Sequence, residues 1–197
     1  KAGDVASHTV TQALEDIPPS ATMPDLIHST RQALEEANKT LIELAQQFES
    51  SRVPGSTVAV LLVKEHEAAI LWAGDSRIYR LRSGELAQIT RDHSHVQELM
   101  DQQLISEEEA ESHPMANVIT RAVGIDAGVE LDILHFDTIP GDRFLLCSDG
   151  LSRLLSLQEI ENLMHTNDLE ESVQSLLHTA LVRGAPDNVT IISVSVL

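Results

Sequence analysis

The sequence predicts an α+β layered sandwich, with antiparallel strands gathered in clusters and helices between the clusters, rather than a parallel sheet of alternating strands and helices. Three observations point there. Two long amphipathic stretches open the chain, a run of short β-rich segments separated by tight turns follows, and the last third repeats the mixture and closes on a strand. At 197 residues and 42% hydrophobic, the chain is long enough to bury one substantial core, so a single domain over residues 1–197 is expected. Neither an internal repeat nor a low-complexity tract interrupts it.

From Ala2 to Ile17, Val5, Thr9 or Val10, Leu14 and Ile17 fall at helical spacing. The Pro18-Pro19 and Pro24 punctuation ends that helix. The next carries Ile27, Leu34 and Leu41 seven apart, flanked by Ala37, Leu44 and Phe48. After Pro54-Gly55 the period changes. Thr57 to Val63, Ala68 to Ala73, Arg77 to Arg82 and Glu85 to Thr90 read as strands in sequential antiparallel hairpins, one turning at Arg82-Ser83-Gly84. Asp92 to His113 returns to helical polarity. There Ser106 and Glu109 occupy capping-box positions within the acidic run Glu107-Glu108-Glu109, a pattern that reads as a solvated face. Val129 to Phe136 and Asp142 to Cys147 then read as strands, Ser156 to His165 and Leu169 to Arg183 as helices, and Val189 to Val196 as the closing strand.

Charge narrows the function classes. Thirty-one acidic against 13 basic residues give a formal net charge of −18, which repels nucleic acid and anionic lipid surfaces. A site that handles phosphate in such a field needs local cations, whether metal ions or placed arginines. The longest apolar run, Val58 to Val63, falls far short of the roughly 20 residues that cross a bilayer, so no membrane span is expected. The one cysteine, Cys147, excludes an internal disulfide and fits a reducing, cytoplasmic compartment; inside Phe144-Leu145-Leu146-Cys147 it reads as a buried, inert thiol.

Three aspartates sit beside strand ends next to turn-forming residues: Gly74-Asp75-Ser76-Arg77, Ser148-Asp149-Gly150 and Pro186-Asp187-Asn188. Carboxylates on rigid strand ends can converge, and convergent hard oxygen donors suit Mg²⁺ or Mn²⁺ rather than zinc. Taken singly, each is read more economically as turn chemistry. There is no glycine-rich phosphate cradle, no HExxH and no GxSxG elbow. His93-Ser94-His95 offers two imidazoles, but at a helix head they splay apart, and both read as surface residues; the other seven histidines show no ligand spacing.

Together, Ala73-Gly74-Asp75-Ser76-Arg77, Leu146-Cys147-Ser148-Asp149-Gly150-Leu151 and Gly184-Ala185-Pro186-Asp187-Asn188-Val189-Thr190 resemble the ordered motifs of the metal-dependent serine/threonine phosphatases of the 2C type, in their compact bacterial form. Gly55-Ser56-Thr57 and Thr90-Arg91-Asp92-His93-Ser94 extend the resemblance along nearly the whole chain. It implies a four-layer α/β/β/α sandwich, two antiparallel sheets stacked between pairs of helices. It also implies Asp149 and Asp187 as metal ligands, Asp75 sharing a weaker third ion with Asp149, Gly150 beside the metal, and Asn188 orienting Asp187. Arg77 is open between steering phosphate and a structural ion pair. A flap at about 92–117 would shape substrate access.

The implied reaction is hydrolysis of phosphoserine or phosphothreonine by a hydroxide bridging two metal ions, with no phosphoenzyme and with two or three Mn²⁺ or Mg²⁺ ions in the complete protein. The implied partner is a phosphorylated protein, the enzyme opposing a serine/threonine kinase and acting as a monomer. The family's earlier Asn-Glu-Asp and Asp-Gly-Met-Gly-Gly-His segments are not in this sequence. Lys1 to Ser7 resembles the helix that follows the second of them, so the native protein is expected to be longer, and these 197 residues alone to bind metal and turn over weakly. The rival class is a silent phosphatase-like scaffold that binds phosphoprotein or kinase without turnover; a hydrolase of small phosphoesters is the third reading.

Overall fold

The computed structural model describes residues 2–46, 55–166 and 168–197; Lys1, Phe48 and Pro54, used above, lie outside them. The chain forms two compact units. One takes the chain up to Gly74 together with Asp92–Asp137, the other Asp75–Arg91 together with Thr138–Leu197.

The first unit opens with helices α1 (Ala2–Glu15) and α2 (Met23–Ala45). Thr22 starts α2: its side chain accepts a hydrogen bond from the Asp25 N–H at 3.2 Å, and Pro24 lies in the first turn, where its missing N–H costs nothing. The seven-residue spacing of Leu34 and Leu41 becomes a buried seam. With Ala37 it joins Ala6 and Val10 of α1 in one core cluster that also takes Val58 and Ala73. Those last two belong to strands β1 (Val58–Lys64) and β2 (Glu67–Ala73), a hairpin registered from Val58 opposite Ala73 to Lys64 opposite Glu67. Strand β5 (Asp132–Asp137) pairs with the other edge of β2, giving the antiparallel order β1-β2-β5. Ala68 to Ala73 are all buried, which explains why this strand reads as an unbroken apolar run instead of an alternation.

The second unit holds the antiparallel sheet β4-β3-β6-β7, formed by β3 (Arg77–Arg82), β4 (Glu85–Gln88), β6 (Arg143–Cys147) and β7 (Ile191–Ser195). Ser83 and Gly84, both at positive φ, make the two-residue turn between β3 and β4, as the sequence predicts. Helices α6 (Leu157–Met164) and α7 (Leu169–Val182) cover the sheet. Ile160, Met164, Leu176 and Ala180 meet Tyr79, Leu145 and the buried Cys147 in one core. The chain is thus an α+β protein of two antiparallel sheets flanked by helices.

Three expectations change. The strands are not one series of hairpins: β2 and β3, consecutive in sequence, lie in different sheets, as do β5 and β6. Gly74 makes the first of these switches at φ 115°, where an added Cβ would stand 2.4 Å from the Thr57 Cγ2, so only glycine fits. The Asp92–His113 stretch is two short helices, α3 (His95–Asp101) and α4 (Glu107–Glu111), broken at Gln103 with φ 57°; the Ser106/Glu109 capping box forms as expected. Last, a four-residue helix, α5 (Asp149–Ser152), follows β6 directly. Ser148-Asp149-Gly150 is therefore a strand-to-helix junction.

Candidate metal centre

The predicted aspartates Asp149 and Asp187 lie on two segments of the second unit that are clasped through Ser148. The Ser148 N–H donates to the Thr190 carbonyl at 3.1 Å, and its hydroxyl donates to the Asn188 carbonyl at 3.1 Å while accepting from the Thr190 N–H at 3.0 Å. Gly150 lets the segments approach: a Cβ there would lie 2.3 Å from the Asn188 carbonyl oxygen. The glycine after Asp149 thus answers a steric demand, and turn chemistry alone does not account for it.

Asp187 is exposed, and its Oδ1 accepts from the Asn188 backbone N–H at 2.7 Å, so this contact of Asn188 with its neighbour comes from the main chain. Asp75, at the head of β3, meets Asp149 through a residue the sequence reading passed over. Arg153 places Nε 3.2 Å from an Asp149 oxygen and a terminal nitrogen 3.3 Å from an Asp75 oxygen. The only sequence signal for Arg153 is its spacing four residues after Asp149. Arg77 donates to the Tyr79 hydroxyl at 3.3 Å.

Just before Asp75, Gly74 is held by His93 within the first unit. The Gly74 N–H donates to His93 Nδ1 at 3.2 Å, and the His93 N–H donates to the Gly74 carbonyl at 2.9 Å. That leaves His93 Nε2 to face the Asp132 carboxylate at 3.2 Å, while Arg121 reaches the same carboxylate at 2.9 Å. Burial pushes the Asp132 carboxyl up, but hydrogen bonds from His93 and Arg121, together with the Arg121 charge, outweigh it and hold the group below its usual range. His93 is only 7% exposed and stacks on Trp72 with ring centroids 6.0 Å apart. The surface reading of His93 is therefore wrong, because its partner Asp132 is remote in sequence.

Among the described residues no three His, Cys, Asp or Glu side chains converge as a complete metal site. The donors present nonetheless suit a hard cation. Asp75, Asp149 and Asp187 supply carboxylate oxygens and no thiol or imidazole, and two of the three already converge on a cationic guanidinium.

Residues 1–189 match the family model of protein phosphatase 2C. The chain belongs to the protein phosphatase 2C family. Serine/threonine protein phosphatase PstP of Mycobacterium tuberculosis is 36% identical over 196 residues, which cover all of this chain and 38% of that protein. Among solved structures, PppA, described as a key regulatory component of T6SS in Pseudomonas aeruginosa, superposes with a TM-score of 0.89 at 40% identity, over 96% of this chain and 78% of PppA. A second match is the catalytic domain of PstP in complex with two manganese ions, with a TM-score of 0.87 at 34% identity over 98% of this chain and 80% of that one. The protein phosphatase 2C fold thus extends along essentially the whole chain, while the chain spans well under half of the full-length mycobacterial relative.

Proposed function

We propose that this chain carries the catalytic fold of a metal-dependent protein phosphatase that hydrolyses phosphoserine and phosphothreonine in proteins. The observation that carries the reading is the Ser148 clasp, which places Asp149 and Asp187 on adjoining segments of one unit, in a chain similar to a phosphatase domain holding two manganese ions. Asp149 and Asp187, with Asp75, would hold Mn²⁺ or Mg²⁺. Bound there, the ions supply the Lewis acidity that activates water and the positive charge that neutralises phosphate.

The chain's own residues supply the rest. Ser148 already donates and accepts with its hydroxyl, and the Cys147 thiol is only 4% exposed, so neither is placed to attack phosphorus. The reading therefore takes direct attack by water, with no phosphoenzyme, as the family resemblance implies. The Asn188 N–H fixes Asp187 Oδ1, and Gly150 keeps the two aspartate segments close. Arg77 is read as bracing Tyr79 rather than steering phosphate. The implied partner is a phosphorylated protein, with the enzyme opposing a serine/threonine kinase in the cytoplasm as a monomer.

The full-length protein, incubated with a phosphothreonine peptide and with p-nitrophenyl phosphate, should release phosphate from both with Mn²⁺ present and stop when a chelator is added. Asp149→Asn should lower turnover by more than about a hundredfold, beyond the range that outer-shell partners of a metal cost. Phosphopeptide binding with no turnover at any Mn²⁺ concentration would instead support the scaffold class.

A further inference from the structure

We propose that Arg153 is a resident counter-ion of the Asp75/Asp149 pair, and that a divalent ion using this pair has to displace its guanidinium. Arg153 would then set how tightly the protein takes an ion beyond the Asp149/Asp187 centre. The inference rests on the metal-centre reading above.

Arg153 caps the short helix α5, its N–H donating to the Asp149 carbonyl at 3.0 Å, and its side chain turns back over the same residue. Nε lies 3.2 Å from Asp149 Oδ2 and a terminal nitrogen 3.3 Å from Asp75 Oδ2, so one guanidinium bridges carboxylates from two separate strand ends. Both contacts are longer than the roughly 2.8 Å of a tight charge-assisted hydrogen bond. The Asp75 side chain is 14% exposed, that of Asp149 30% and that of Arg153 38%, so Asp75 is the sheltered member of the pair and the cation has open water to swing into.

The charge count favours exclusive occupancy. Two carboxylates with a divalent ion are neutral, whereas the same pair with the ion and the guanidinium together carries one excess positive charge. An arginine cannot shed its proton to relieve that repulsion. Mg²⁺ and Mn²⁺ draw carboxylate oxygens in to about 2.1 Å, and the Oδ2 atoms are already directed at the guanidinium, so ion and side chain compete for the same lone pairs. A lysine at position 153 would present a single point charge and could not bridge both carboxylates as the fork does.

Mn²⁺ binding to the chelator-stripped full chain, read as free Mn²⁺ by electron paramagnetic resonance, tests this. Arg153→Gln should tighten the weakest Mn²⁺ site by about tenfold or more, since a unit charge is removed a few ångströms from the ion. Adding Asp75→Asn to that variant should abolish the gain, and Arg153→Lys should fall between the two. Arg183→Gln, which removes the same charge at a residue with no contact to the aspartate pair, should bind as wild type. Arg153→Gln that binds Mn²⁺ as wild type does, or more weakly, overturns the inference. If Asp149→Asn loses Mn²⁺ while Arg153→Gln matches wild type, the role of Arg153 alone falls. If Asp149→Asn binds Mn²⁺ as wild type does, the metal-centre reading falls and takes this inference with it.

Discussion

Gly150 sets how closely two aspartate-bearing segments can approach, and its environment leaves no room for a methyl group. The atoms an added Cβ would meet, the Asn188 carbonyl oxygen at 2.3 Å and its carbon at 3.0 Å, belong to the main chain and cannot turn aside as a flexible side chain would. Gly150→Ala is therefore expected to push Asp149 away from Asp187, lowering stability by about 1–3 kcal/mol, the usual cost of overpacking, and weakening Mn²⁺ binding along with it. Urea unfolding and a Mn²⁺ titration check this against Gly128→Ala, a position where a Cβ meets nothing within 4 Å. Both quantities unchanged in Gly150→Ala would show that the close approach is immaterial. At this scale Asp75, Asp149 and Asp187 are candidates in the sequence because each stands beside a turn residue near a strand. Arg153 is not, since its second partner lies 78 positions away. His93 was misread for the same reason: its burial depends on Trp72 and Asp132, which no local pattern connects to it.

Elements α6 and α7 are joined at their ends by one carboxylate. Glu159 completes a capping box with Ser156 at the start of α6 and accepts from Arg183 at the end of α7, one of these contacts at 3.1 Å. The Arg183 hydrogen bonds first, then those from the Ser156 N–H and hydroxyl, pull the Glu159 carboxyl down to about 2. A carboxylate whose folded value is depressed adds stability that is fully present above its unfolded value, about 4.3, and is lost as pH falls through the folded one. Arg183→Ala should therefore melt below wild type at neutral pH by a margin that is steady above about pH 5 and shrinks toward pH 2. Thermal melts across that range measure it, and a margin independent of pH would contradict the coupling. Most elements were readable locally, from the helical spacing of Leu34 and Leu41, from the Ser83-Gly84 turn and from the Ser106 capping box. Sheet membership was not, because whether β3 pairs with β2 or with β6 is decided by long-range registration and by the steric demand at Gly74. The helix α5 escaped notice because four residues carry too little periodicity.

For the whole molecule, the net charge of −18 is the property any phosphate chemistry must overcome. None of its helices, among the described residues, is long and apolar enough to cross a membrane. A dianionic substrate gains a foothold only where bound cations reverse the field. The same field draws Mn²⁺ to the surface in general, so a metal-binding measurement has to separate a specific ligand from diffuse attraction. Asp187→Asn and Asp168→Asn remove the same charge, but Asp168 caps α7, accepting from the Glu170 and Glu171 N–H groups, and belongs to no candidate site. Calorimetric titration of Mn²⁺ into the chelator-stripped full chain compares them most directly. The protein phosphatase 2C account predicts that Asp187→Asn weakens Mn²⁺ binding by more than about tenfold, a modest demand for removing one ligand charge, while Asp168→Asn binds as wild type does. Equal Mn²⁺ affinity in wild type and Asp187→Asn would contradict it.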